Sequence, residues 1–269
     1  VYEGTFWNGL LCSNPHAGAD VRAVCAPTLS RAQSADGMLW RSPWEAAALN
    51  SSNADFFSRD QGLATLAALT QLKNKTLYDP WLKYINSQTP QKAAGCMCPN
   101  QCKIGLGDCG LVAPFWCTFN DMAKYTGLTP PPASDMQPKL GAGFCNNDHL
   151  IVFISCSVNE QGSALHLAAV DVYIRRLVYT GGDGWDATLQ AAADKLHDRD
   201  PQNAFFMWLS KGASDALGAL VLSQVPPDGN HAKQQWAFVR EDSQRAWTES
   251  MGWDFIFLID HLLGAPTVG

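Results

Sequence analysis

Ionisable side chains on stripes that should be apolar are the positions of this chain best placed to do chemistry. In Phe57-Ser58-Arg59-Asp60-Gln61-Gly62, a helical reading puts Phe56, Asp60, Leu63 and Ala67 on one face, at i, i+4, i+7 and i+11. Asp60 then points at a core or a central pocket, with Arg59 beside it to hold it ionised. Towards the C-terminus, Trp247, Met251, Asp254, Phe255, Leu258 and Leu262 form a second stripe, with Asp254 in its middle. Burying a lone charge costs on the order of several kcal/mol, so each aspartate must be paired, protonated or facing a wet cavity. Asp60 also has a local explanation. Ser58 and Gln61 read as a capping box, and a carboxylate in a first turn suits the helix dipole. Asp254 is expected to be either salt-bridged to a buried arginine or a working carboxylate. Asp260 and His261 fall off its stripe and read as solvent-exposed.

A third cluster is Trp40-Arg41-Ser42-Pro43-Trp44-Glu45, preceded by Asp36-Gly37. Two indoles supply stacking surfaces and arginine a directed donor, a set suited to gripping a polar ring compound. The same tryptophans could equally plug the edge of the core. His166 shares a helical face with Ala169, Val170, Tyr173 and Leu177. In that setting it is either a hydrogen-bonded core residue or a base that needs a substrate beside it. The turn Gly181-Gly182-Asp183-Gly184-Trp185-Asp186 could hold a cation or simply reverse the chain. The chain contains no zincin, nucleophile-elbow, phosphate-loop, dinucleotide or EF-hand motif, so no cofactor is expected.

The nine cysteines are Cys12, Cys25, Cys96, Cys98, Cys102, Cys109, Cys117, Cys145 and Cys156. Cys96, Cys98, Cys102 and Cys109 crowd an aperiodic stretch, and a long loop needs a clip to stay ordered. Their spacing departs from the paired knuckles that tetrahedral zinc favours, so disulfides are expected, with a structural zinc as the alternative. Cys12–Cys25 is the expected bridge between two short neighbouring helices. Cys156, in an apolar run, is the expected free thiol. Two sequons, at Asn50 and Asn74, agree with the cysteines on a secreted, extracellular location.

These residues need a scaffold, and helical periodicity supplies one. Helices are expected over 3–12, 19–30, 55–72, 76–86, 111–126, 148–158, 163–179, 186–197, 203–222, 232–240 and 243–263, with turns at Asp36-Gly37 and Ser42-Pro43. Alternating, strand-like runs are scarce. The expected fold is all-α: about ten helices in antiparallel pairs, disulfide-braced, forming one domain over residues 1–269. Hydrophobic residues make up 46% of the chain, enough for a sizeable core, but only 16% are charged, so the surface is unusually neutral. The net charge of -6 and the lack of any basic run exclude an extended phosphate backbone, and hence nucleic acid, as partner. No apolar stretch approaches the ~20 residues of a membrane span.

Many helix pairs, a neutral aromatic-rich composition and inward-facing acids resemble the α/α toroid glycoside hydrolases and polysaccharide lyases. The resemblance is one of architecture across most of the chain, with no residue-by-residue motif. It implies a carbohydrate ligand and a pair of carboxylates flanking the scissile bond, one as acid and one as base or nucleophile. Asp60 and Asp254 form that pair here, with Glu45 in reserve, and Trp40, Arg41, Trp44, Arg59 and His166 are the substrate-binding residues. No metal ligand is assigned. The alternative is a non-catalytic secreted glycan-binding or toxin-like protein.

Overall fold

A computed structural model describes residues 4–50, 59–88, 113–131, 163–179, 187–224 and 253–264. The cysteine-rich stretch 94–110, Cys145, Cys156, the glycine turn 181–186 and the helices expected over 148–158 and 232–240 lie outside those residues. Eleven helices are described: α1 (Gly4–Ser13), α2 (Ala19–Arg31), α3 (Pro43–Ala48), α4 (Arg59–Leu72), α5 (Lys75–Gln88), α6 (Ala113–Thr126), α7 (Ser163–Tyr179), α8 (Ala187–Arg199), α9 (Ala204–Lys211), α10 (Asp215–Gln224) and α11 (Trp253–Gly264). Among the described residues there is no strand, only an isolated antiparallel bridge between Gln33 and Leu39. The all-α class follows. No described helix is long and apolar enough to cross a membrane.

Two helices form the centre. Every residue from Asp60 to Thr70 in α4 and from Leu165 to Arg175 in α7 is buried. A helix covered all round has no solvent face to carry its polar groups. Those groups must therefore be satisfied inside: the hydroxyls of Thr65 and Thr70 donate to the carbonyls of Gln61 and Ala67, 2.9 and 2.7 Å away. α1 lies along α4, α6 touches both central helices, α8 and α9 pack on α7, and α11 closes against α1 and α10.

The contact between α1 and α4 is set by one glycine. A Cβ built at Gly9 would lie 2.6 Å from both the carbonyl carbon and oxygen of Ala64. The two backbones therefore approach as closely as they do only because position 9 has no side chain.

Cys12 and Cys25 join α1 to α2 as expected, 13 positions apart in sequence and both buried. Cys117, also buried, is disulfide-bonded as well. Closing a loop of that length stabilises the fold by about 3 kcal/mol. Replacing both Cys12 and Cys25 by alanine should lower the unfolding free energy measured in urea by that amount, while a thiol reductant should leave the native bond intact until the chain unfolds.

Two element expectations are corrected. The helix expected over 203–222 is two helices. Gly212 adopts a φ of 73° and ends α9, and Ser214 then caps α10 by accepting from the Leu217 N–H at 3.2 Å. The turn expected at Ser42-Pro43 is instead the start of α3. Ser42 is its N-cap and accepts from the Glu45 N–H at 3.3 Å, and Pro43 takes the position where a missing N–H costs nothing.

Candidate functional site at the 40–45 corner

The segment between α2 and α3 is built as a rigid corner. Ser34 and Asp36 close a turn around Gly37, which adopts a φ of 93°. Its missing side chain allows it to sit on the Pro80 carbonyl, to which any Cβ would be only 2.2 Å away. Gln33 ties this turn to α5, donating from Nε2 to the Leu77 carbonyl at 3.0 Å. The first turn of α1 holds the other side. The Thr5 N–H and hydroxyl donate to the carbonyls of Arg41 and Trp40, at 2.8 and 2.6 Å.

This corner separates the two tryptophans. Trp40, expected as a stacking face, is buried with Met38, Ala46 and Tyr84 in a small cluster of its own, and its Nε1 donates to Ser34 Oγ at 2.9 Å. It plugs the core edge and offers no ring face to a ligand. Trp44 is the opposite, with 85% of its surface in water. Because α3 is capped at Ser42 and pinned at Pro43, the indole is presented from a fixed backbone. Arg41 is buried and Glu45 is half-buried one position beyond Trp44. Leu49 ends α3 in the left-handed region with a φ of 50°, and is also exposed.

The other expected site residues lie elsewhere. Asp60 is 8% exposed in the first turn of α4, where Oδ1 accepts from the Gln61 N–H at 2.9 Å. That is the helix-start geometry available to a first-turn carboxylate. Arg59 and Asp254 lie within α4 and α11, with side chains outside the described residues. His166 is buried in α7 with its ring 5.0 Å from that of Phe6.

Polar groups that the stripe analysis passed over occupy the interior of α7. Asp171 is fully buried, and its Oδ2 accepts from Arg175 Nε at 3.0 Å, one turn along the helix. Burial pushes its carboxyl up, while the Arg175 guanidinium and a hydrogen bond from Thr118 pull it down. Further along, the Tyr179 hydroxyl donates to Asp121 Oδ2 on α6 at 2.9 Å. Burial and the Asp121 charge push that phenol up to about 12.

The expectation that Asp260 and His261 are exposed is corrected. His261 is buried, with Nε2 3.1 Å from the Tyr173 hydroxyl, and Asp260 accepts from Asn14 Nδ2 at 2.7 Å. The buried face of α11 carries Phe257, Leu258 and His261, while Ile256 and Ile259 face water. Leu258 and His261 stand four and seven positions beyond Asp254, so the i, i+4, i+7 rule itself places His261 on that stripe.

Among the described residues no group of three or more His, Cys, Asp or Glu side chains is arranged to hold a metal ion. No protein-family model, curated protein or solved structure matches the chain.

Proposed function

We propose that this chain is a secreted carbohydrate-active protein that stacks a glycan on Trp44 and cleaves it with a pair of carboxylates drawn from Glu45, Asp60 and Asp254. The observation that carries the reading is the indole of Trp44, 85% exposed on a capped, proline-pinned turn. An exposed aromatic face held on fixed backbone costs little entropy to use, and the C–H face of a sugar ring fits against it. Glu45 is half-buried beside it and supplies an acceptor for sugar hydroxyls. α3 itself carries no cation and presents Glu45 beside Trp44, which suits a neutral glycan better than an anionic one. In the same reading, the helices beyond the central pair complete an α/α ring.

One observation favours the non-catalytic version of this proposal. Asp60 is nearly sealed, and one of its oxygens is taken by its own helix. A carboxylate in that setting holds the fold together better than it reaches a glycosidic oxygen. Trp44→Ala should weaken glycan binding about tenfold, the loss of one stacking contact. The fold should keep its stability to within about 0.5 kcal/mol, because the side chain is exposed. Isothermal titration against a panel of neutral oligosaccharides reads the first quantity and urea unfolding the second. New reducing ends after incubation identify an enzyme. Trp44-dependent binding with the glycan unchanged identifies a lectin. Binding that ignores Trp44 removes the proposal.

A further inference from the structure

α11 is fastened to the bundle by a buried histidine, His261. Its ring lies 4.4 Å from that of Trp208 on α9, 4.4 Å from that of Phe257 on its own helix and 5.5 Å from that of Tyr173 on α7. The hydrogen-bond chain places a proton on Nε2. Ser13 Oγ at the end of α1 donates to the Leu10 carbonyl at 2.6 Å, so it accepts from the Tyr173 hydroxyl at 2.9 Å. That hydroxyl then accepts from His261 Nε2–H, so a second proton can be added only at Nδ1, on a ring enclosed by aromatic side chains.

We propose that His261 is a proton-operated latch, neutral when α11 is docked and releasing that helix from the bundle when it is protonated.

The surroundings give an imidazolium little to hold. Among the described residues, the groups that act on it electrostatically disfavour a positive charge there: Arg176 on α7, which sits over the Trp208 ring at 4.8 Å, and His16 in the turn between α1 and α2. The carboxylate next in sequence, Asp260, is engaged by Asn14. Lys211 on α9 is exposed and turned to Asp194 on α8. α10 carries Asp215 as its one titratable residue, exposed in its first turn. The C-terminal end of α11 and the face of Trp208 both favour a cation, but each is a weaker effect than stripping a charge of its water. Burial first, then His16 and Arg176, take the imidazole from 6.5 down to about 3. A docked form that binds its proton more weakly than the released form is held in full above pH 6.5. It loses ground tenfold for each pH unit below that, until about 3.

Only α11 is expected to respond so directly. Phe257, Leu258 and His261 are its described buried side chains, so the titrating group lies within its attachment. α4 and α7, by contrast, are enclosed all round.

Hydrogen–deuterium exchange on the full, disulfide-intact chain tests the latch, with rates corrected for the intrinsic effect of pH. Between about pH 7.5 and about pH 4.5, protection in α11 should fall roughly a hundredfold. Protection in α4 and α7 should persist. His261→Gln keeps a donor for the Tyr173 hydroxyl but cannot titrate, and should make α11 protection independent of pH in this range. Constant α11 protection in the native chain overturns the latch. So does simultaneous loss of protection in α11 and α7, or a His261→Gln variant that retains the full pH response. If that variant does not fold, the native titration alone decides between release and its absence.

Discussion

Arg175→Met should cost the fold about 3–5 kcal/mol, because it leaves the fully buried Asp171 carboxylate without its guanidinium. The expected loss exceeds what the hydrogen bond itself contributes. Most of it is the cost of keeping an ion dry with no counter-charge. The pair occupies i and i+4 of a helix that has no wet face, so neither side chain can swing out to water. The double variant Asp171→Leu with Arg175→Met should therefore recover most of the loss, since an apolar pair of similar bulk removes the stranded charge. Urea unfolding of the three variants at neutral pH makes the comparison.

The same variant carries a signature in pH. Burial already raises the Asp171 carboxyl, and Arg175 is the largest influence pulling it down. Without the arginine it rises further. A carboxyl that binds its proton more tightly folded than unfolded favours folding below the ordinary carboxylate pKa, and this advantage is lost as pH rises through the folded value. The gap between native protein and Arg175→Met should thus be smallest in acid and widest near neutrality. Taking the difference between the two proteins cancels the opposite drift contributed by His261.

Gly9→Ala should destabilise the protein by about 3 kcal/mol, at the upper end of the range for overpacked cores. The added methyl would stand 2.6 Å from two backbone atoms of Ala64 and 2.9 Å from its Cβ. Only the last of these can be removed by substitution. Ala64→Gly in the same chain should consequently rescue little of the loss. A full rescue would mean that side-chain crowding, and not backbone approach, sets the spacing of α1 and α4. Thermal and urea midpoints of the single and double variants distinguish the two.

The residues that could be read correctly from the sequence are those governed by local rules. α7 was expected over 163–179 and spans Ser163–Tyr179, because its apolar period is unbroken. The Cys12–Cys25 bridge followed from two short adjacent helices that bring their ends together. Errors arose where a local rule met packing. Ser42-Pro43 reads equally as a turn or a helix start, and only the bond to the Glu45 N–H decides. Gly212 is tolerable inside a helix until it adopts a positive φ. The stripe argument also assumed that every helix has a wet side. That assumption hid Asp171, which shares a fully enclosed helix with His166, whereas His261, seven positions beyond Asp254, belongs to the stripe by the helical period itself. Trp40 and Trp44 stand four positions apart, one before α3 and one in its first turn, and nothing in their spacing says which is buried. The hydrogen bonds of Ser34, Ser42 and Thr5 make that choice.

The sealed sulfurs of Cys12 and Cys25 also impose an order on assembly. Once α1 has settled against α4 and α2 has closed over it, no oxidant can reach either thiol. The bond must form while these helices are still apart, as a crosslink on a loosely associated N-terminal pair. A chain that closes in its reduced form would have to reopen that whole face before it could be oxidised.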